Sequence, residues 1–245
     1  MYSKTAGACS ATCGTSGASV SRECIVAKRF DPASIPPWPT LDFESALWAE
    51  GKVLVTGLDE AGRGALAGPL CAAAVILPAD DPEIPIKLFE VRDSKQLSAF
   101  DREKLAPLIR ELALDFSIAW IEADEIDAIG MARAGRKIFS LALQGLRLKP
   151  DHVLVDHFTI PGLEIAQTNL TKGDQRSLSI ACASILAKQA RDARMIDLAE
   201  RYPAYSIAEN KGYGSPDHIK AIQKLGLTDI HRKSFCEGLF QLSLF

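Results

Sequence analysis

The sequence predicts an α/β fold in which helices flank a mixed β-sheet. Two apolar runs, residues 53–58 and 69–78, follow each other with only a glycine-containing turn between them, which favours a hairpin. Later strand-like runs are separated by stretches with helical periodicity, which is typical of a sheet covered by helices. A chain of 245 residues that is 47% hydrophobic and 24% charged is long enough to bury a sizeable core.

Each element has a local signal. The segment "LDFESALWAEG" has a helical apolar pattern that ends at Gly51. In "LSAFDREKLAPLIRELAL", Ser98 precedes Asp101 by three residues, which is close to the capping box that opens a helix. "DFSIAWIEA" alternates as a strand does. Further along, the pattern predicts a helix over 131–148, strands over 152–158 and 163–168, a helix over 176–202, and a last helix starting at Ser215 and Pro216.

Composition indicates one domain that follows a polar N-terminal tail. We expect a disordered tail over 1–40, a catalytic domain over 41–235 and a short C-terminal tail over 236–245. The first 23 residues lack the apolar core of a secretory signal. They are rich in Ser and Thr and free of acids before Glu23, so an organelle transit peptide stays open as the alternative.

Cysteine and charge usage narrow the class of protein. Six cysteines without a C-x-x-C pair favour neither a zinc site nor a disulfide framework, and Cys71 and Cys182 stand in apolar runs as small hydrophobes. A reducing, cytoplasmic setting follows.

The longest apolar run, 65–79, is interrupted by glycine and proline, so no membrane span is predicted. Net charge is −3, but residues 171–235 hold 11 Lys and Arg against 7 Asp and Glu, a balance of +4 that could follow a phosphate backbone or simply be a solvated surface.

Four acids form the candidate catalytic set. Asp59 and Glu60 close the first strand, Asp156 closes a later strand, and Asp174 precedes a long helix. Strand ends in a mixed sheet can converge, and converging carboxylates repel one another unless a hard divalent cation such as Mg²⁺ or Mn²⁺ joins them. Two such ions can activate water against a phosphodiester. Any one of these acids alone is more often a turn former or helix cap, so the hypothesis depends on the whole set.

A nucleotide-binding loop is the competing interpretation of the same region. The glycines of "GRGALAG" have the spacing G-x-G-x-x-x-G and are followed by an apolar strand. A dinucleotide fold needs an amphipathic helix at that place, with its N-terminus on the pyrophosphate. The pattern therefore disfavours a dinucleotide-dependent oxidoreductase.

Several blocks of the chain resemble the successive motifs of ribonuclease HII. They are "GLDEAGRGALAGPLCAAAVIL", "DSKQLS", "KGDQRSLSIACASILAKQARD", "KGYGSPDH" and "GLTDIHRKSF", in family order over about residues 53–235. The resemblance implies a ribonuclease H-like fold with a helical C-terminal part. It also implies a monomeric endonuclease that cuts the RNA of RNA/DNA hybrids and incises duplex DNA 5′ of single ribonucleotides, leaving 5′-phosphate and 3′-hydroxyl ends.

The resemblance also assigns roles. Asp59, Glu60, Asp156 and Asp174 would be the catalytic acids that bind Mn²⁺ or Mg²⁺. The Gly62-Arg63-Gly64 backbone and Tyr213 would contact the ribose 2′-hydroxyl, the group that separates RNA from DNA. Contacts to substrate phosphates are expected from Lys95, Lys172, Lys188 and Arg191.

Three departures from the family pattern bear on substrate positioning. His157 follows Asp156 where glycine is common, Ala65 follows the GRG triplet where proline is usual, and Asn210 precedes "KGYG" where histidine is usual.

The sister enzyme ribonuclease HIII carries a folded N-terminal domain and lacks the triplet, so type HII is favoured. A catalytically silent nucleic-acid or clamp adaptor is the alternative of another class, which four intact acids disfavour.

The last five residues, "QLSLF", resemble the sliding-clamp-binding peptide of bacterial replication and repair proteins. Gln241 would bind at the pocket rim, and Leu242, Leu244 and Phe245 would fill apolar clefts of the clamp. The alternative is that this segment packs on its own domain.

Overall fold

A five-stranded mixed sheet forms the centre of the fold. The computed structural model describes residues 30–79, 81–157 and 159–241. The strands are β1 Val55–Ala61, β2 Leu70–Ile76, β3 Asp115–Ile121, β4 His152–Asp156 and β5 Ala166–Leu170, in the order β3-β2-β1-β4-β5. β1 pairs antiparallel with β2, and β2 with β3, whereas β4 pairs parallel with both β1 and β5. The predicted hairpin and mixed sheet are confirmed.

Helices cover both faces of this sheet and form the C-terminal part. They are α1 Asp42–Ala49, α2 Glu83–Lys87, α3 Ala99–Leu112, α4 Ala123–Ile129, α5 Met131–Gln144, α6 Leu178–Arg201, α7 Ile207–Asn210, α8 Pro216–Leu225, α9 Lys233–Cys236 and α10 Gly238–Gln241. Short 3₁₀ turns occupy Pro32–Ser34, Gly173–Gln175 and Pro203–Tyr205. The predicted capping box of α3 is present, since Ser98 Oγ accepts from the Asp101 amide at 3.1 Å and the Asp101 carboxylate accepts from the Ser98 amide at 3.2 Å.

Some boundaries differ from those the sequence predicts. The helix expected over 131–148 ends at Gln144. The strand expected over 163–168 begins three residues later and ends at Leu170, because its pairing with β4 begins where His152 meets Ala166. A helix does begin at Pro216, but the prediction that it is the last one was wrong, as α9 and α10 follow.

The core lies on both faces of the sheet. One cluster of buried residues joins β2 to α3 and α6, and a second joins the opposite face to α4 and α5. Cys71 and Cys182 are fully buried in the first cluster, as expected of small hydrophobes. A third cluster packs Ala67 against Met195 of α6 and the C-terminal helices. The segment that follows β1 is therefore held by the C-terminal part of the chain.

Helix α6 lies unusually close to β1. A Cβ atom added to Gly57 would sit 2.2 Å from the Ser179 carbonyl carbon and 2.4 Å from the Ile180 nitrogen, so backbone meets backbone there. Only glycine permits such an approach. The contact aligns α6 with the strand that carries Asp59 and Glu60.

The predicted ends of the domain are described only in part. Residues 1–29 and 242–245 lie outside the described residues, as does the side chain of Gln241. Before the predicted boundary at residue 41, the Thr40 amide donates to the Arg176 carbonyl at 3.1 Å, and the Leu178 amide donates to the Thr40 carbonyl at 2.8 Å. No helix in the described ranges is long and apolar enough to cross a membrane.

Candidate metal and nucleic-acid site

Parallel pairing of β1 with β4 brings two of the predicted acids to neighbouring strands. Leu58 is paired with Val155, so Asp59 and Asp156 are the next residues along each strand. The Asp156 Oδ1 atom accepts from the Gly173 amide at 2.7 Å, which holds the turn containing Asp174 beside the end of β4. Register and this hydrogen bond therefore bring together acids that are about 100 residues apart in sequence.

A cleft of about 430 Å³ opens over these strand ends. Its lining contains three of the four acids, the whole Gly-Arg-Gly triplet, two lysines and Tyr213: Asp59, Glu60, Ala61, Gly62, Arg63, Gly64, Ser94, Lys95, Asp156, Ser184, Lys188 and Tyr213. Asp174 is not part of that lining, but its Oδ2 atom lies 4.0 Å from Lys95 Nζ. Most of the residues singled out in the sequence thus share one cleft.

The acids are held at an electrostatic cost. Burial raises the pKa of Asp59 well above its ordinary value, and the charges of Glu60 and Asp156 add to that rise. Burial likewise raises the pKa of Glu60 and of Asp156. Asp174 is raised to a pKa of about 7, first by burial and then by the charges of Asp93 and Asp156. Carboxylates with raised pKa values gain most from a cation that neutralises them.

The donor set fits a hard divalent cation. All four candidate ligands are carboxylates, and the Oδ1 atom of Asp174 is buried with no hydrogen-bond partner among the described residues. Among the described residues, no group of three or more His, Cys, Asp or Glu side chains is already arranged to hold a metal ion. The fit therefore rests on the donor chemistry and on the unpartnered oxygen, not on a preformed cage.

Asp93 is a site residue that sequence reasoning missed. It is buried, and its carboxylate accepts from the Lys95 amide at 3.0 Å and from Gln175 Nε2 at 3.1 Å. Its charge contributes to the raised pKa of Asp174. The signal was present in the "DSKQLS" block, where an aspartate beside Ser and Lys resembles an ordinary turn residue.

The Gly-Arg-Gly loop is tied to the loop that carries Tyr213. The amides of Leu66 and Ala67 both donate to the Gly212 carbonyl, at 2.8 and 3.1 Å. Gly212 has φ +81°, and a Cβ there would lie 2.3 Å from the Ala67 oxygen, so glycine is required. The Tyr213 ring lies 5.3 Å from Lys188 Nζ. Two loops distant in sequence thus form one wall of the cleft.

Arg191, a predicted phosphate contact, is instead located inside the protein. It is fully buried and donates to the carbonyls of Pro69, Lys211 and Ala67 at 2.9, 2.9 and 3.1 Å. Arg232 is buried as well and donates to the carbonyls of Gly68 and Arg63. Both guanidinium groups support the wall of the cleft from behind, because their hydrogen bonds go to main-chain oxygens of the two loops.

The predicted lysines have different surroundings. Lys95 is largely exposed and lines the cleft. Lys188 also lines it, and its Nζ atom donates to Asp192 at 2.7 Å. Lys172 is exposed, has φ +59° and does not line the cleft.

His157 has a left-handed backbone. Its φ is +71°, a value that glycine adopts more readily than other residues, and glycine is common at this position in the family pattern. The His157 amide donates to the Leu170 carbonyl at 3.0 Å. His157 is not among the residues that line the cleft.

Sequence comparison finds one family. The family model described as Ribonuclease HII matches residues 56–238. Ribonuclease HII of Clostridioides difficile (strain 630) is 43% identical over 197 residues, covering 80% of this chain and 75% of the relative. Ribonuclease HII of Caldicellulosiruptor saccharolyticus is 44% identical over 200 residues, covering 82% and 95%.

Solved structures agree with the observed fold. The ribonuclease H2 of Pyrococcus horikoshii OT3 has a TM-score of 0.65 and 26% identity, covering 77% of this chain and 97% of that protein. The ribonuclease HII solved in complex with PCNA from Archaeoglobus fulgidus also has a TM-score of 0.65 and 26% identity, covering 78% and 98%. A Bst ribonuclease HIII solved with Mn²⁺ has a TM-score of 0.59 at 18% identity, which shows the shared fold alone.

The raised pKa of Asp174 predicts that its charge destabilises the metal-free fold. We expect Asp174→Asn to raise the free energy of unfolding by about 1 to 3 kcal/mol at pH 8 in chelator, because the substitution removes a buried, repelled charge. The folded-state pKa of about 7 exceeds the ordinary 3.8, so the cost is complete above pH 7 and disappears as the pH falls toward 4. Urea unfolding at several pH values measures this. Asp151→Asn, immediately before the start of β4, is the control, and a gain that does not depend on pH contradicts the prediction.

Proposed function

The chain belongs to the ribonuclease HII family and is a ribonuclease, and from that premise we propose that it is a metal-dependent endonuclease that cuts at RNA–DNA junctions. It hydrolyses the RNA strand of RNA/DNA hybrids and incises duplex DNA 5′ of single ribonucleotides. One observation carries the proposal. The acids Asp59, Glu60 and Asp156 line the same cleft as the Gly62-Arg63-Gly64 triplet and Tyr213. One substrate in this cleft would therefore meet both the catalytic acids and the residues proposed to recognise the ribose.

Asp59, Glu60, Asp156 and Asp174 would hold Mn²⁺ or Mg²⁺. Such a cation, when bound, activates water and stabilises the charge that develops on the phosphodiester oxygens. The three carboxylates that line the cleft have no competing zinc-type donors beside them there, since the lining contains no Cys or His. The buried Asp174 Oδ1 atom has no hydrogen-bond partner in the part of the chain that the structure describes, which supports its place in this set.

The chain's own groups would orient the substrate. Gly64 has open space where a Cβ would be, so its main chain can approach a 2′-hydroxyl closely. Gly62 is needed for a different reason, because a Cβ there would lie 2.0 Å from Arg191 Nε. The Tyr213 ring offers an apolar face for a sugar and a hydroxyl for hydrogen bonding. Lys95 and Lys188 line the cleft and would meet phosphate oxygens, which fixes the register of the strand.

The cut would break the bond between phosphorus and the 3′-oxygen of the preceding nucleotide. The water oxygen joins phosphorus, and the leaving 3′-oxygen takes up a proton. The products are a 3′-hydroxyl end and a 5′-phosphate on the ribonucleotide.

Removing one carboxylate charge from the cleft tests the catalytic assignment. We expect Asp156→Asn to lower the turnover number at least about 100-fold, because the substitution removes a negative charge from the proposed cation site. The fold should be kept, because asparagine retains an oxygen that can accept from the Gly173 amide. The assay follows a labelled DNA duplex with one ribonucleotide in Mg²⁺, Mn²⁺ or chelator and maps the cut. Asp151→Asn should cut as the wild type does. A variant at position 156 that cuts at the wild-type rate would refute the assignment.

The hydroxyl of Tyr213 is expected to matter most at isolated ribonucleotides. Tyr213→Phe should reduce kcat/KM about tenfold on a duplex with one ribonucleotide, the loss of roughly one hydrogen bond, and less on a long RNA/DNA hybrid. Tyr202→Phe is the matched control, since its hydroxyl bonds to Asp229 outside the cleft. Equal losses on both substrates would contradict a junction-reading role for this hydroxyl.

We also propose that a sliding clamp binds the C-terminal peptide. The Archaeoglobus fulgidus ribonuclease HII was solved in complex with PCNA, and this chain ends in "QLSLF". The described residues stop at Gln241 in α10, so Leu242, Leu244 and Phe245 are proposed on sequence alone.

Deleting residues 241–245 should abolish binding to a purified bacterial sliding clamp, for which we expect a Kd of roughly micromolar. Surface plasmon resonance measures this, and a variant with the last five residues scrambled serves as the control. Cleavage of a free oligonucleotide duplex should persist in both variants, because neither changes a residue that lines the cleft. Undiminished clamp binding after the deletion would exclude the peptide as the contact.

A further inference from the structure

Two buried histidines lie behind Tyr213. His218 in α8 and His231 in the segment before α9 are 0% and 1% exposed. Their Nε2 atoms are 3.2 Å apart, and the Tyr205 ring packs against both. Neither histidine is among the residues that line the cleft, so neither can touch substrate there.

The partners of the two rings determine where each proton resides. The Thr228 amide, which can only donate, donates to His231 Nδ1 at 3.0 Å, so that nitrogen is unprotonated, and the Thr228 hydroxyl, 2.8 Å from the same nitrogen, donates to it as well. Neutral His231 therefore carries its proton on Nε2 and donates to His218 Nε2. His218 then carries its proton on Nδ1, which donates to the Tyr213 carbonyl at 2.9 Å. The donors point in one direction, from Thr228 to Tyr213.

This arrangement requires both rings to be neutral, because a further proton would set two N–H groups against each other. Burial lowers the pKa of His218, and burial together with the nearby His218 lowers that of His231 to about 4. The titratable groups that face the pair are Tyr205, which packs on both rings, and Asp229, whose charge opposes the lowering at His231.

The backbone of His231 holds the other loop of the cleft wall. His231 forms a β-bridge with Ala67, the Gly68 amide donates to the Ile230 carbonyl at 2.8 Å, and the Arg232 amide donates to Leu66 at 2.8 Å. His231 thus pairs through its main chain with the segment after the Gly-Arg-Gly triplet. Through its side chain and His218 it reaches the main chain of Tyr213.

We propose that His231 and His218 form a positioning relay that fixes Tyr213 against the Gly62-Arg63-Gly64 loop, so that these two histidines set the preference for an isolated ribonucleotide. The proposal rests on the junction-reading role of Tyr213 proposed above. If the two histidines served only to fill the core, their hydrogen bonds would not need to run in one direction or to end at the Tyr213 carbonyl.

The first test concerns the tautomers and needs no variant. Long-range ¹H–¹⁵N correlation spectra of the full-length protein should show His218 protonated at Nδ1 and His231 at Nε2. The opposite tautomers, or a charged ring at pH 7.5, would overturn the relay.

The second test compares two substitutions at one position. His218→Leu removes the donor to Tyr213, whereas His218→Asn keeps an N–H near the place of Nδ1. We expect His218→Leu to lose about tenfold in kcat/KM on a duplex with one ribonucleotide relative to a long RNA/DNA hybrid. His218→Asn should recover that ratio to within about threefold. Equal ratios for the two variants would overturn the relay.

Tyr213→Ala separates failure of the relay from failure of the underlying function. If Tyr213→Ala changes the substrate ratio and His218→Leu does not, the relay is wrong and the reading role stands. If Tyr213→Ala leaves the ratio unchanged, the reading role itself fails, and the relay proposal fails with it. Should His218→Leu not fold, the spectra of the wild-type protein still decide the tautomers.

Discussion

The close crossing of α6 over β1 is the constraint on which the rest of the site depends. At Gly57 the helix backbone occupies the space of a side chain, which brings α6 within reach of the strand that ends in the first two acids. Ser184, farther along the same helix, lines the cleft with Asp59 and opposes the rise in the pKa of that carboxyl group. The turn that carries Asp174 immediately precedes α6, so the same crossing also locates that acid. One backbone contact thus helps to position the acids of β1, Ser184 and Asp174.

That convergence has an energetic cost, which falls on the metal-free state. Four carboxylates near one another, several of them buried, repel and are desolvated, and their raised pKa values report both effects. The core on both faces of the sheet and the hydrogen bonds of Asp156 and Asp93 stabilise the fold and offset this repulsion. Sites that must bind a charged partner commonly sacrifice stability in this way.

The sequence predicted those parts of the fold whose signals are local. The β1–β2 hairpin follows from two apolar runs, and the start of α3 follows from Ser98 and Asp101. β5 was misplaced because its position is decided by pairing with β4. Arg191 was misassigned for a similar reason, since its burial depends on carbonyls of Ala67, Pro69 and Lys211, which no periodicity along α6 encodes. Asp93 escaped notice because its importance lies in contacts with a turn about 80 residues away.

Two buried arginines, Arg191 and Arg232, help to shape the cleft wall by donating to main-chain oxygens behind it. Arg232 draws the Arg63 carbonyl inward at 3.1 Å. In a planar trans peptide the N–H points opposite to the C=O, and the structure contains no cis peptide among its described residues. The Gly64 amide therefore points away from the buried guanidinium. A donor aimed in this way suits a sugar hydroxyl, and its direction is set by an arginine that itself never reaches the cleft surface.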